Sequence, residues 1–385
     1  MKSDNYVLFG GDVVPNSRYE RSIEQGNDPL LELRNLFNDS SLSFVNLECP
    51  LTDDLSQKIK KSGPHLHASK SMVKVLDGIS LVGLANNHIY DYGENGIQNT
   101  LTALRSNGIE HIGAGICREE ANKPFFKDIN NVTIGIIAVA EREFNIDDEK
   151  KCGAAILETE QIYSQVQEAK AASDILIITI HGGIEYFDLP RPNFRKLSKF
   201  LVDIGADAVI CHHPHVSGAY EVYKDKLIAY SLGNLMFDHI KAPNGWTNGH
   251  LIKLCVCEET KKISDFSFIP IKQDLKKSKV TLLQDKEKQI ELEKLEGLRK
   301  ILEDEDIYHK NWKKFVEEKW LASIISNYFP ISFPGIVKVS KFFGIHKLLL
   351  NNRNLDLRLN LVRNASHHEL LLSSIEFFQT KENEK

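Results

Sequence analysis

The stretch GADAVICHHPHVSG, residues 205–218, carries the clearest signal of the fold. Its run DAVIC (207–211) is short and almost continuously apolar, which is typical of a strand buried on both faces. Three histidines, His212, His213 and His215, follow where this strand should end. In open α/β sheets, ligands bind beyond the carboxyl ends of the parallel strands. The histidines therefore either bind a metal ion or form a polar loop that happens to be rich in histidine.

Other apolar runs repeat the pattern along the chain, and helical patterns lie between them. The predicted strands are 6–10, 43–48, 79–85, 132–140, 175–180, 226–231 and 251–257. The predicted helices are 96–106, 159–172 and 192–204. A strand followed by a helix, repeated in this way, predicts an α/β domain.

The composition of the sequence changes near residue 272. Beyond it charged residues are frequent, and Leu292, Leu295 and Leu298 recur at helical spacing. We therefore predict an α/β domain over 1–271 and a helical, charge-rich extension over 272–385. Within the extension, 335–350 reads as a basic amphipathic helix. Such a helix either packs on its own domain or lies in a membrane interface, at the inner face of the membrane in this case.

Composition excludes several classes of protein. A net charge of -5 and a pI near 6.3 argue against nucleic acid as the main partner. No apolar run is long enough to cross a bilayer, and the six cysteines form neither a disulfide framework nor a zinc-ribbon spacing. The first strand begins at Tyr6, which leaves no room for a signal peptide, so we expect a cytoplasmic protein.

Polar side chains follow almost every predicted strand. Each has a plain alternative role: a helix cap, a solvated strand end, a loop cap or a buried histidine with a hydrogen-bond partner. His213 and His215 give the strongest signal, because alternate side chains of an extended segment point to the same side. Carboxylate, amide and imidazole groups without cysteine suit Mn, Fe, Zn or Mg. The candidates are Asp12, Glu48, Asn87, His88, His181, His213 and His215.

Four stretches in this order resemble one known family. They are NLECPLT (46–52), LANNHIYDYGENG (84–96), HGGIEY (181–186) and GADAVICHHPHVSG with the residues after it. Together they resemble the capsule-synthesis CapA family, a branch of the calcineurin-like metallophosphoesterases that includes proteins for poly-γ-glutamate capsules. The resemblance covers residues 6–270. It implies a metallophosphoesterase-like β-sandwich flanked by helices, with a dinuclear metal site beyond the strand ends.

The resemblance also implies roles for the candidates. Glu48 stands where the superfamily has a bridging acid, and His88 stands where it has a catalytic histidine. One metal ion would have Asn87, His181, His213 and Glu48, and the other would have Asp12, Glu48 and His215.

The first motif departs from the family pattern. The superfamily has Asp-x-His there, whereas Val13 and Val14 follow Asp12, so one imidazole ligand is missing. Glu185 either compensates for this loss or supports a ligand histidine.

These features predict a metal-dependent hydrolase of phosphoesterase type, with one or two divalent ions, in the biosynthesis of a capsule or surface polymer. The polymer would be poly-γ-glutamate-like or a polysaccharide, and the ligand an anionic polymer or a phosphoester. The same chemistry could act on an amide or ester carbonyl. The alternative is a non-catalytic component that binds polymer or assembles a capsule synthesis or export complex.

Overall fold

Two β-sheets and a set of flanking helices form the protein. The computed structural model describes residues 5–61, 63–147, 149, 152–328 and 363–383. Its strands are β1 (Tyr6–Val14), β2 (Leu42–Leu47), β3 (Leu81–Gly83), β4 (Glu110–Ile112), β5 (Ala114–Gly115), β6 (Phe125–Ile129), β7 (Val132–Ala140), β8 (Gly153–Ala154), β9 (Ile175–His181), β10 (Ala208–His212), β11 (Tyr220–Tyr223), β12 (Lys226–Ala229), β13 (Asn234–Phe237), β14 (Asn248–Cys257), β15 (Lys262–Asp274) and β16 (Lys279–Leu282). Its α-helices are α1 (Arg18–Glu24), α2 (Arg34–Asp39), α3 (Gly93–Ser106), α4 (Arg118–Ala121), α5 (Thr159–Ala171), α6 (Pro192–Asp203), α7 (Asp285–Glu303), α8 (Glu305–Tyr328) and α9 (Ala365–Asn383), with 3₁₀ turns at Leu31–Leu33 and Lys70–Leu76.

The two main sheets are each parallel at their centre. The first has the order β16-β15-β14-β1-β2-β3-β4, with β13 also pairing with β1, and its strands β1 to β4 are parallel. The second has the order β11-β12-β10-β9-β7-β6, and its four central strands are parallel. Antiparallel strands complete their edges. Strands β5 and β8 form a separate two-stranded ladder.

Alternation along the second sheet divides the interior into two cores. In β9, Ile175 and Ile177 pack in the same cluster as Phe9 and Phe44 of the first sheet. The residue between them, Leu176, packs instead with helices on the outer face. Because successive side chains of a strand point to opposite faces, one face of the second sheet packs on the first sheet and the other is covered by helices. The predicted β-sandwich flanked by helices is thus confirmed.

All the predicted strands are present, as are the helices predicted at 96–106, 159–172 and 192–204, and helices α7, α8 and α9 form the described part of the extension. Leu295 and Leu298 are buried in α7, as their spacing predicts, and Leu302 is buried with them, whereas Leu292 is only partly buried. The additional strands are short, or half exposed as in β6 and β11, so they lack the continuous apolar run of a buried strand. The predicted boundary after residue 271 lies inside β15, which pairs with β16, and the helices begin at Asp285.

Two predictions about membranes have different outcomes. No helix in the described part of the chain is both long and apolar enough to span a membrane. The predicted helix at 335–350 lies outside the described residues, so its contact with a membrane stays a prediction.

Candidate metal centre

The residues predicted from the strand ends meet at one place between the two sheets. Asp12 lies near the end of β1, Glu48 follows β2, and His181 ends β9. The carboxylate of Asp12 spans the two sheets, because its Oδ2 accepts a hydrogen bond of 3.2 Å from the backbone N–H of His213. All the candidate residues are buried: Asp12, Glu48, Asn87, His88, His181, His213 and His215.

The Gly-Gly pair before Asp12 allows the backbone to approach closely. A Cβ atom added to Gly11 would lie 2.0 Å from the carbonyl oxygen of Gly233, in the turn before β13. Here β1 leaves the register it holds with β2, and the N–H of Asp12 donates to that same carbonyl at 3.2 Å. A side chain at residue 11 would therefore displace the strand that carries Asp12.

Asn46 holds the carboxylate of Asp12 in place, and His212 lies beside it. Asn46 donates from Nδ2 to Asp12 Oδ1 at 2.7 Å and lies 3.2 Å from Nδ1 of His181. Nδ1 of His212 lies 3.5 Å from the same carboxylate oxygen. Burial raises the pKa of Asp12, but the surrounding imidazoles, that of His212 first, outweigh burial and lower it. Asp12 is therefore ionised at neutral pH.

Three candidate ligand atoms lie around Nε2 of His181, which is itself a fourth candidate. Asn87 Oδ1 lies 2.9 Å from this nitrogen, His213 Nδ1 lies 3.2 Å from it, and Glu48 Oε1 lies 3.5 Å from it. Ligand atoms bound to one ion at about 2.1 Å lie roughly 3 to 3.5 Å apart. Burial, first of all, lowers the pKa of both histidines, that of His213 to about 4, so both are neutral imidazoles, the form that binds metal. The spacing and the protonation state both fit a divalent cation.

His215 presents its other nitrogen to the same centre. Asn234 donates from Nδ2 to the carbonyl oxygens of His215 and Trp246, so its Oδ1 faces the imidazole. Nδ1 of His215 donates to this oxygen at 3.0 Å. Nε2 is then the nitrogen with a lone pair, and it lies 3.6 Å from Oε1 of Glu48. An amide that fixes the tautomer of a ligand histidine is a common feature of metal sites.

Glu48 provides the most direct test of whether the site suits a cation. Its side chain is fully buried, yet neither carboxylate oxygen accepts a hydrogen bond from any described residue. Burial, and then the Asp12 carboxylate, raise its pKa well above the ordinary value. A buried carboxylate with no donor is costly unless a cation compensates it. The Glu48 position therefore fits a metal ligand and not a solvated strand end.

The ligand atoms group around Glu48. Within the described residues, acid and histidine atoms within 4.8 Å of one another form two groups, and both contain Glu48. Their members are Glu48, His213 and His215 in one, and Asp12, Glu48 and His181 in the other. The shared residue agrees with a bridging position, although the histidines are divided differently from the two predicted ligand sets. Glu185 belongs to neither group and lines the adjoining cavity.

The segment that carries His213 and His215 is not extended, and that expectation was wrong. Both residues have positive φ angles, 99° and 59°, and their ring centroids lie 5.9 Å apart. A left-handed turn, and not the alternation of an extended chain, brings both rings to the centre. Such conformations are uncommon for residues other than glycine and cluster at functional sites.

His88 lies beside the ligand atoms and has its own partners. Its Nδ1 donates to Asp91 Oδ2 at 2.7 Å. The other ring nitrogen, Nε2, takes no part in this hydrogen bond. Lys61 pairs with the other oxygen of Asp91, and both charged groups are buried. Burial, and then the Lys61 ammonium, lower the pKa of His88 against the opposing effect of Asp91.

Glu143 orients the amide of Asn87. A carboxylate only accepts hydrogen bonds, so the contact of 3.5 Å between Glu143 Oε2 and Asn87 Nδ2 turns Oδ1 of the amide towards His181. Burial raises the pKa of Glu143 to about 7.

Several supporting residues were not predicted. Asn46, Asp91 and Asn234 lie in the short polar stretches NLE (46–48), NNHIYD (86–91) and SLGN (231–234) that follow predicted strands, so a search for hydrogen-bond partners of the ligands could have found them. Lys61 and Glu143 come from loops whose sequences give no such signal.

Comparison with known proteins identifies the family. The model of the family described as bacterial capsule synthesis protein PGA_cap matches residues 6–239, well over half of the chain. The chain belongs to the PGA_cap family. All seven candidate residues of this PGA_cap member lie inside the matched region, whereas α7, α8 and α9 lie beyond it.

Curated relatives of this PGA_cap member carry similar descriptions. The chain is 33% identical over 246 residues to the PGA biosynthesis protein CapA of Bacillus subtilis (strain 168), covering 62% of this chain and 63% of the relative. It is 30% identical over 212 residues to the capsule biosynthesis protein CapA of Bacillus anthracis, covering 52% and 50%. The chain thus spans less than two thirds of the length of these relatives.

Solved structures show only a distant likeness to the PGA_cap member. A novel phosphatase from Mycoplasma pneumoniae aligns with a TM-score of 0.45 and 12% identity, over 71% of this chain and 95% of that one. A 5'-nucleotidase precursor from Thermus thermophilus aligns with a TM-score of 0.42 and 10% identity, over 73% and 54%.

Proposed function

We propose that this PGA_cap member is a metal-dependent hydrolase of phosphoesterase type that acts in the synthesis of a capsule or surface polymer. The observation that carries this proposal is the convergence of Asn87, His213 and Glu48 on Nε2 of His181 at distances suited to ligands of one ion. The CapA relatives, which are named for capsule or PGA biosynthesis, support the biological setting.

The ligand sets follow from these contacts and from the sequence resemblance. Glu48 would contact both ions, with Asn87, His181 and His213 completing the first set, and Asp12 and His215 completing the second. Oxygen and imidazole ligands are compatible with Mn, Fe, Zn or Mg. When bound, such ions polarise phosphoryl oxygens and activate water at neutral pH.

His88 would supply the proton to the leaving group. Its Nδ1 is held by Asp91, so the imidazole presents Nε2 to the cavity that adjoins the ligand atoms. For this role the imidazole must first be protonated at Nε2. Asp91 favours that form, although burial and the Lys61 ammonium lower the pKa of His88, and Lys61 also pairs with Asp91. A general acid placed in this way contributes about 10²- to 10⁴-fold to the rate.

A second function, a non-catalytic polymer-binding or assembly component, is favoured by one observation. Val13 and Val14 occupy the place of the Asp-x-His motif, so the second ligand set has one imidazole fewer. A weaker second metal position suits a structural or vestigial site. The His88 and Asp91 pair favours the enzyme, because a structural site needs no acid beside it.

The test compares metal content and turnover in the same variants. Metal content is measured by mass spectrometry, and turnover by hydrolysis of an aryl phosphate ester. We expect His88→Ala to keep its metal and lose about 10²- to 10⁴-fold in turnover. Asp12→Ala should lose both metal and turnover. His309→Ala, an exposed histidine of α8, is the control. Turnover that is indifferent to both changes at the centre would refute the enzyme and favour the assembly component.

A further inference from the structure

Helix α9 forms one wall of the cavity beside the metal centre. The cavity has a volume of about 320 Å³ and is lined by Asn87, His88 and His213 on one side. Ser366 and His367, in the first turn of α9, line it as well. This helix lies more than a hundred residues beyond the region that the PGA_cap family model matches. The cavity is therefore built partly from a segment that the family domain does not supply.

Buried charges fix α9 against the α/β domain. Glu369 accepts a hydrogen bond of 2.8 Å from the backbone N–H of Asn193, at the start of α6, and pairs with Arg191. Arg191 also pairs with Glu141, which in turn accepts a bond of 3.0 Å from the N–H of Gly183. Arg191, Glu141 and Glu369 are all buried. The buried arginine thus links Glu369 of the helix to Glu141, which lies next to the strand end that carries His181.

A second tether reaches the ligand residues themselves. Asn364 donates from Nδ2 to Glu143 Oε1 at 2.7 Å, and the other oxygen of Glu143 faces the amide of Asn87. Oδ1 of Asn364 accepts from the N–H of Ser366 at 2.9 Å and caps α9. This arrangement sets the first turn of α9 at a defined position relative to Asn87.

His367 has the features of a side chain that awaits a ligand. The residue lines the cavity, and its Nδ1 is buried without a hydrogen-bond partner among the described residues. The other hydrogen-bonding groups in the first turn of α9 are used by the cap, since the N–H of His367 and the hydroxyl of Ser366 both contact Asn364 Oδ1. The imidazole is thus the group of this turn that is left to bind something in the cavity. Buried polar atoms without partners are rare, so an oxygen of a bound molecule is a natural partner.

We propose that His367 binds an anionic oxygen of the substrate, from a phosphoryl or carboxylate group, and that α9 thereby makes the cavity selective for anionic ligands. The inference rests on the proposed metal-dependent site, because the bound group lies next to the ligand atoms. Lys61 and His88 line the same cavity and can donate to an anion. Glu143 and Glu185 line it as well, and metal bound at the adjoining centre would offset their carboxylates. His367 is a substrate-positioning group here, and His88 remains the residue assigned to proton transfer.

The experiment measures binding of two anions to the Mn²⁺-loaded protein by calorimetry. The probes are inorganic phosphate and a short oligoglutamate, which separate the phosphoryl and carboxylate sources. We expect His367→Ala to weaken binding of at least one probe by about tenfold, the value typical for loss of one hydrogen bond to a charged group. His367→Gln, which keeps a donor, should lose less. His368→Ala is the matched control, because residue 368 is adjacent and exposed.

The outcomes separate this inference from the proposed function. A selective loss in His367→Ala, with metal content unchanged, supports the inference even if no ester is hydrolysed, a result that would refute only the hydrolase. Equal affinities of wild type and His367→Ala for both probes would overturn it. So would a loss of the same size in His368→Ala, or the absence of binding of either probe to the wild-type protein.

Discussion

Replacing Glu48 with glutamine is expected to change the stability in opposite directions with and without metal. The glutamate is fully buried, neither of its oxygens accepts a hydrogen bond from a described residue, and the Asp12 carboxylate lies close by. In metal-free protein nothing compensates the ionised form of this carboxylate, and its pKa is raised for that reason. Glutamine keeps the shape of the side chain and removes the charge.

The size of each effect follows from general magnitudes. An unsatisfied buried polar group costs about 1 to 3 kcal/mol, and a charged one costs more. Because the glutamine amide also lacks partners, we expect Glu48→Gln to raise the free energy of unfolding of the metal-free protein by roughly 1 kcal/mol. At a free metal concentration about 100 times Kd, metal stabilises the wild type by about 2.7 kcal/mol. The variant should lose most of this gain, since Glu48 belongs to both groups of ligand atoms.

Urea unfolding followed by circular dichroism measures both effects. Each protein is unfolded once in a chelator and once in excess Mn²⁺ or Zn²⁺. Glu110→Gln, at an exposed glutamate, is the control and should match the wild type in both conditions. The reasoning fails if Glu48→Gln is stabilised by metal as much as the wild type is. It also fails if the variant is markedly less stable than the wild type in the chelator.

Three further predictions concern groups around the centre and the core. Asn234→Ala should weaken metal binding by about 10- to 100-fold in a competition titration, because the amide no longer fixes the tautomer of His215. Asp207→Asn should lower the free energy of unfolding at pH 7 by about 2 kcal/mol, as the carboxylate accepts bonds from two lysine ammonium groups. Burial raises the pKa of Asp207, but these bonds outweigh it and lower the pKa, so its contribution is present above about pH 4 and is lost as the pH falls through the lowered pKa. Arg191→Met should cost about 3 to 5 kcal/mol in urea unfolding, because it leaves two buried carboxylates without their cation.

Each of these has a control and a contrary outcome. The control variants make the same chemical change at a position away from the groups concerned. They are Asn311→Ala on α8 for Asn234→Ala, Asp265→Asn on β15 for Asp207→Asn, and Arg21→Met on α1 for Arg191→Met. Unchanged metal affinity in Asn234→Ala would show that the tautomer of His215 is fixed by another group. A stability difference for Asp207→Asn that is independent of pH, or a loss below about 1 kcal/mol for Arg191→Met, would contradict the assigned ion pairs.

The sequence determined the strands because the central strands of both sheets are buried on both faces. Such strands must be apolar throughout, so runs like ILIITI (175–180) stand out without any knowledge of their neighbours. It also determined the candidate residues, since the carboxyl ends of parallel strands lie at one edge. Asp12 and His181 were found in this way although the chain separates them widely.

Tertiary structure alone decided how these groups are held and what closes the site. The turn that brings His213 and His215 together depends on positive φ angles that residue types other than glycine do not signal. The roles of Lys61, Glu143 and His367 depend on loops and a distant helix, whose positions follow from packing and buried ion pairs and leave no periodicity in the sequence. The order of apolar and polar residues within a strand indicates which of its faces are buried. Contacts between segments that are remote in the sequence depend on how the whole chain packs.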